Sequence, residues 1–247
     1  IPDARFVYVA DSAYAPYGER GAEEVIERSQ RITAQLRSEY PLEAMVVACN
    51  TATAHAIDTL RITHPDLPFI GVEPALKPAV ALSHTRHIGV MATRGTLASA
   101  RFQKLQARLE HGGTQQPPHF HRQACDGLAD AIERGDAALT RALCERYVSA
   151  LQAQAPADTP IDTLVLGCTH YPFEAPLLQS LCGPGVHLVE TGAPVARRTR
   201  EVLNERWLVP AHASPELVLL TTGAPAALSE VAARWLGTTA EAVHWTC

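Results

Sequence analysis

Two segments carry side chains that could move a proton. One is Met45-Val46-Val47-Ala48-Cys49-Asn50-Thr51 and the other is Leu164-Val165-Leu166-Gly167-Cys168-Thr169-His170. Each is a short apolar run, the pattern of a buried strand, ending in a small residue, a cysteine and then polar side chains. A cysteine between a strand and a helix sits near free backbone N–H groups. That position lowers a thiol pKa from its free value of about 8.5. Asn50 or Thr51 would cap the following helix, and the remaining N–H groups can bind a carboxylate. His170 adds a proton donor or acceptor beside Cys168. Plainer roles stay open for each: a cysteine as a small buried hydrophobe, an ordinary helix cap, a histidine satisfied within the core.

Taken alone, Cys168-Thr169-His170 also fits a cysteine hydrolase, which needs one nucleophile, one base and an oxyanion hole. Such an enzyme has no use for a second, similar cysteine. Two matched cysteines suit a task with mirror symmetry, in which a proton leaves one face of a carbon and another arrives on the opposite face. That task is racemisation at an amino-acid α-carbon. The α-carbanion is very unstable, so the site must also stabilise charge on the substrate carboxylate. Asn50, Thr51 and Thr169 are neutral donors suited to that role. The two lysines, Lys77 and Lys104, lie in no cofactor-like motif. A pyridoxal phosphate enzyme is therefore disfavoured and no cofactor is expected.

Composition narrows the classes further. The 247 residues fit one large α/β domain or two smaller ones. A net charge of −5 without a basic stripe argues against nucleic acid as a partner. No apolar run approaches the ~20 residues that span a bilayer, and no signal pattern opens the chain. No membrane association is expected, and the expected location is the cytoplasm. Cysteines stand at 49, 125, 144, 168, 182 and 247, with no Cys-x-x-Cys pair, so neither a disulfide framework nor structural zinc is expected. Cys125, Cys144, Cys182 and Cys247 are assigned to packing.

The elements that must position the two segments alternate. Strands are expected at Arg5–Ala10, Met45–Ala48, Phe69–Val72, His87–Ala92, His119–Gln123, Thr163–Leu166, Val186–Glu190, Leu217–Thr222 and Ala242–Trp245. Helices are expected at Ala22–Glu39, from Asn50 or Thr51 to Thr63, at Leu76–Ser83, from Thr96 to Glu110, and at Gly127–Arg134. Others are expected at Ala137–Gln154, Pro172–Leu181, Pro194–Arg206 and Ala224–Leu236, with a loop at Gly112–Pro118. Alternation of this kind implies an α/β fold of parallel sheets covered on both faces. In such sheets ligands bind at the carboxyl ends of the strands, where both cysteines stand. The echo between the two cysteine segments suggests two related, pseudo-symmetric, doubly wound lobes with the active site between them. The expected boundaries are residues 1–76 with 192–247 for the first lobe and 77–191 for the second.

Five motifs, in order along most of the chain, resemble the glutamate racemase family within the cofactor-independent aspartate/glutamate racemase superfamily. They are Pro16-Tyr17-Gly18, Ala48-Cys49-Asn50-Thr51, Gly71-Val72-Glu73-Pro74, Gly89-Val90-Met91-Ala92-Thr93 and Gly167-Cys168-Thr169-His170-Tyr171-Pro172. The resemblance implies that Cys49 and Cys168 are the two acid/bases, the first serving D-glutamate and the second L-glutamate. It implies substrate contacts at Tyr17, Gly18, Asn50, Thr51, Thr169 and His170. The histidine favours glutamate, since aspartate racemases usually carry a glutamate there. Glu133 matches an acidic residue that assists the second cysteine, although Asp126 replaces the family's usual proline, and a solvated helix-end carboxylate explains Glu133 equally well. Thr93 and Thr96 either contact the carboxylate or simply cap a helix.

The resemblance further implies a supply of D-glutamate for peptidoglycan, glutamate as the small-molecule partner, and no cofactor; it leaves a homodimer open. Family members begin with a strand and an Asp-Ser-Gly loop that contacts the amino group. The residues from Ile1-Pro2-Asp3 onward match the family's chain just beyond that unit. Asp11-Ser12 matches a later family position, so an additional amino-terminal strand–loop–helix is expected. Two alternatives stand beside this family expectation: a racemase or decarboxylase of the same superfamily acting on another acid, and a non-catalytic binding module on the same fold.

Overall fold

A computed structural model describes residues 4–112, 116–205 and 216–247. The start at Ile1–Asp3, the middle of the loop expected at Gly112–Pro118 and the helix end expected at Arg206 lie outside the described residues. Strands and helices alternate as the apolar periodicity predicts. Among the described residues every strand pairing is parallel, as crossover helices between successive strands require.

The second lobe is one four-stranded sheet in the order β5-β4-β6-β7, from β4 (His87–Ala92), β5 (His119–Ala124), β6 (Thr163–Gly167) and β7 (His187–Val189). β4 and β6 are buried almost throughout, as continuous apolar runs should be in a sheet covered on both sides. One face packs Met91, Leu164 and Leu166 with Leu128, Tyr147, Tyr171 and Leu178. The other packs Ile88, Val90 and Val165 with Leu76 and Phe102.

The first lobe holds two sheets. β1 (Arg5–Ala10), β8 (Glu216–Thr221) and β9 (Ala242–His244) pair in the order β1-β8-β9, and β2 (Met45–Val47) pairs with β3 (Phe69–Gly71). Among the described residues β1 and β2 do not pair. Phe6, Tyr8 and Val46 stay open to solvent on these strands. Helix α1 (Ala22–Glu39) packs on α2 (Asn50–Thr63), burying Val25, Ser29, Thr33 and Leu36 at helical spacing.

Two helices begin differently from expectation. The helix expected from Thr96 to Glu110 is two: α4 (Arg94–Ala98) and α5 (Ala100–Glu110). Ser99 divides them because its hydroxyl caps α5, accepting from the Phe102 N–H at 3.2 Å. The segment after His170 opens as a 3-10 turn, Tyr171–Glu174, and only then becomes α8 (Ala175–Cys182). No described helix is long and apolar enough to cross a membrane.

Candidate active site

Cys49 and Cys168 stand where β2 and β6 end, and each lies in the other lobe's electrostatic reach. The cap of α2 is Cys49 itself, rather than Asn50 or Thr51. Its sulfur accepts from the Ala52 N–H at 3.5 Å. The helix start does favour the thiolate there, but burial outweighs it and pushes the thiol up to about 11, with the nearby Cys168 adding to the rise. The expected lowering of this pKa is thus reversed, although Cys49 keeps some accessible surface.

Cys168 is buried, and Gly167 before it lets the strand end approach its neighbour. A Cβ on Gly167 would stand 2.9 Å from both the Ala92 Cβ and the Met91 carbonyl oxygen. The Cys168 sulfur lies 3.8 Å from His170 Nδ1, and His170 Nε2 lies 3.3 Å from Glu133 Oε2. Glu133 comes from α6 (Leu128–Arg134), which ends in a left-handed glycine, Gly135, with φ of 70°. Burial alone would push the His170 pKa down. The bonds to Cys168 and Glu133 outweigh burial and hold it up at about 10. The same bond from His170 holds the Glu133 carboxyl below its usual range. Cys168, His170 and Glu133 thus stand in one chain of contacts, while the Glu133 side chain stays 41% exposed.

The threonines form a hydroxyl cluster between the lobes. Thr51 Oγ1 lies 2.9 Å from Thr93 Oγ1 and 3.3 Å from Thr96 Oγ1, and Thr93 Oγ1 is 2.9 Å from Thr96 Oγ1. Thr93 also caps α4, accepting from the Thr96 N–H at 3.2 Å. Asn50 Nδ2 donates to the Val72 carbonyl at 3.3 Å, while its buried Oδ1 has no hydrogen-bond partner among the described residues. The Thr169 side chain sits in the turn after Cys168 and is partly buried.

Tyr17 and Gly18 lie in a short 3-10 turn, Tyr17–Glu19, pressed against Thr93. A Cβ on Gly18 would stand 2.6 Å from Thr93 Cβ, so this contact needs glycine. The Tyr17 hydroxyl donates to Asp11, whose carboxylate also accepts from Arg28 Nη2 at 2.7 Å, Arg28 Nε at 3.1 Å and Thr222 Oγ1 at 2.9 Å. Burial works to raise the Asp11 pKa, but these donors outweigh it and hold the carboxyl down.

Sequence inspection missed Arg28 in this support. Its signal was a charge on the apolar stripe of α1, three residues after Val25, and the side chain is 4% exposed. It also missed Tyr8 on β1. The Tyr8 phenol is raised first by burial and then by the charges of Glu133 and Cys49, although 45% of the residue is exposed. Nothing in the pattern of β1 marked it out.

Asp126, which replaces the proline usual in the resembled family, lies in a segment held by three contacts. Its side chain pairs with Arg94, its carbonyl accepts from the Tyr147 hydroxyl at 2.7 Å, and the next N–H, of Gly127, donates to Glu19 Oε1 at 3.3 Å.

Among known proteins, the family model for Asp/Glu/hydantoin racemases matches residues 1–199. A glutamate racemase of Methylococcus capsulatus is 44% identical over 247 residues, covering 99% of this chain and 85% of that protein. One from Herpetosiphon aurantiacus is 44% identical over 234 residues, 94% of this chain and 87% of that protein. Among solved structures, a glutamate racemase isoform from Bacillus anthracis superposes with a TM-score of 0.84 at 28% identity, covering 99% of this chain and 88% of that one. The Escherichia coli glutamate racemase, in complex with L-glutamate and the activator UDP-MurNAc-Ala, gives 0.81 at 29% identity, covering 98% and 88%. The chain therefore belongs to the Asp/Glu/hydantoin racemase family, and has its two-lobed α/β fold.

Proposed function

We propose that this protein is a glutamate racemase that interconverts L- and D-glutamate by proton transfer between two cysteines. The observation that carries the proposal is the asymmetry of the two sides. Cys168 has an imidazolium, braced by Glu133, within 3.8 Å, whereas Cys49 is held as a thiol whose pKa is about 11. One side is set to accept a proton and the other to give one.

For L-glutamate, the Cys168 thiolate takes the α-proton, so a C–H bond breaks and an S–H bond forms. The electron pair left on the α-carbon spreads into the substrate carboxylate. The Cys49 thiol then gives its proton to the opposite face, leaving a thiolate that serves the reverse reaction on D-glutamate. His170, held by Glu133, faces the Cys168 sulfur during the first transfer. Preorganised neutral donors stabilise developing carboxylate charge without neutralising either sulfur, a role that falls to Thr51, Thr93 and Thr169. The orphan Asn50 Oδ1 would accept from the substrate ammonium; an unpaired buried acceptor costs about 1–3 kcal/mol until filled. Tyr17 and Gly18 close the pocket on the α4 side, Tyr17 being held by Asp11.

In this scheme residues 1–76 with 192–247 form the Cys49 lobe and 77–191 the Cys168 lobe. The product supplies D-glutamate for peptidoglycan, a cytoplasmic step needing no cofactor. Incubating the protein with L-glutamate in D2O and following the α-proton by NMR tests the proposal. Loss of the α-proton signal, with the appearance of D-glutamate, is expected. Exchange on another amino acid but not on glutamate would reassign the substrate, and no exchange on any amino acid would overturn the proposal.

A further inference from the structure

Helix α10 (Pro225–Leu236) packs on β8 and β9 of the first lobe, yet two consecutive side chains in its last turn reach the second lobe. Trp235 meets Phe173, with ring centroids 4.5 Å apart and planes tilted by 35°. Arg234, which also bonds Glu230 at 2.7 Å, lies against Gly135: a Cβ there would stand 3.0 Å from Arg234 Nη1. These two contact points are close in sequence to the Cys168–His170–Glu133 contacts. Phe173 is three residues after His170, and Gly135 is two after Glu133. One helix end thus touches both segments that hold the partners of Cys168, from the opposite side of the cleft.

The aromatic pair is not core packing. Phe173 is 37% exposed and Trp235 41% exposed, so the contact lies at the rim. Centroids 4.5 Å apart are at the close end of the range for attractive ring pairs. The charged and titratable groups facing His170 are Cys168 at the end of β6 and Glu133 on α6, with Arg134 beside Glu133.

We propose that Trp235 and Arg234 are positioning residues, a clasp that holds the His170–Glu133 pair in register with Cys168 when the two lobes are together. The proposal rests on the assignment of Cys168 as an acid/base, but not on glutamate as the substrate. Without the clasp, Phe173 and Gly135 lose their anchor in the first lobe. His170 then samples orientations in which Nδ1 no longer faces the sulfur, and the thiolate loses its partner.

The test is the pH dependence of Cys168 alkylation by iodoacetamide, read by peptide mass spectrometry on the full chain, in wild type, Trp235→Ala and Trp235→Phe. Only the thiolate reacts, so the profile reports its stabilisation. Trp235→Ala is expected to move the Cys168 profile up by about one pH unit and to leave that of Cys49 in place; one unit is a tenfold change in the thiolate equilibrium. Trp235→Phe, which keeps a ring against Phe173, is expected to restore it. An unchanged Cys168 profile in Trp235→Ala, or equal shifts at both cysteines, would overturn the proposal. If Trp235→Ala does not fold, Phe173→Leu, which removes the other ring, decides on the same outcomes. Alkylation needs no substrate, so failure of glutamate exchange in the wild-type protein would leave this test standing.

Discussion

His170 Nε2 lies 3.3 Å from Glu133 Oε2 while its Nδ1 lies 3.8 Å from the Cys168 sulfur, so one ring bridges a carboxylate and a thiol. Folding raises the His170 pKa from 6.5 to about 10. The extra proton affinity belongs to the folded state. Its stabilisation is therefore fully present below about pH 6.5 and is lost as pH rises through about 10. The side chain is 33% exposed, so solvent screening reduces the size of the effect. Wild-type Tm should fall towards that of His170→Asn between pH 6.5 and 10, and the gap should hold below that window until acid protonates Glu133. Parallel Tm curves across the whole range would contradict this linkage.

Replacing either cysteine by serine should abolish racemisation while leaving the fold intact. Serine is nearly isosteric but far less acidic, and removing a general acid or base costs about 10²–10⁴-fold in rate. Cys49→Ser and Cys168→Ser should each lose at least that much in kcat, measured by circular dichroism at 25 °C with either enantiomer. Cys144→Ser is the control: Cys144 is fully buried in α7 (Ala137–Gln152) and should leave turnover close to that of the wild type. Full activity in either site variant would refute the two-cysteine scheme.

Gly18→Ala should weaken substrate binding and stability together. The new methyl would stand 2.6 Å from Thr93 Cβ and Cγ2, and both belong to a residue fixed as the cap of α4. Overpacking of this kind costs about 1–3 kcal/mol. Urea denaturation should show the loss, and KM should rise more than kcat falls. Wild-type values of both would mean that the 3-10 turn does not close on Thr93.

Arg28→Met should be the most damaging change outside the site. Arg28 and Asp11 are 4% and 8% exposed, and Arg28 also lies 3.7 Å from the centre of the Tyr14 ring. Removing one partner of a buried pair costs about 3–5 kcal/mol, because the other charge is left uncompensated. The loss should be largest above the ordinary carboxylate pKa and shrink as acid protonates Asp11, whose folded pKa is depressed. Urea midpoints at pH 7 and at steps down to about pH 2, below the depressed Asp11 pKa, check this, and a loss that stays equal throughout would show that the pair carries little of the stability.

The sequence reveals the strands and the cysteines because both are local. Apolar runs such as Val165–Leu166 can only be buried, and the turn chemistry after Gly167 lies within a few residues. What stays hidden depends on balances between distant groups. Cys49 stands at a helix start, which alone predicts a lowered pKa, but burial by elements far along the chain reverses the sign. Glu133 is 37 residues from His170, and nothing local brings the two together. The division between α4 and α5 was readable in principle, since Ser99 stands where a second cap would sit. Apolar spacing runs on through it, however, and the periodicity masked the break.

The contact between the lobes is of two electrical kinds. At its middle, Thr51, Thr93 and Thr96 meet through neutral hydroxyls. Farther out, Arg101 of α5 reaches across to Glu73 and, at 3.1 Å, to Asp58, and those groups are substantially exposed. Dissolved ions screen the outer pairs over a Debye length of about 8 Å at physiological ionic strength, but leave a hydroxyl cluster almost untouched. Rising ionic strength therefore loosens the periphery of the cleft around a centre that does not respond. Salt thus weakens the Arg101 pairs selectively, while the hydroxyl cluster and the Phe173–Trp235 rings keep their contacts at any ionic strength.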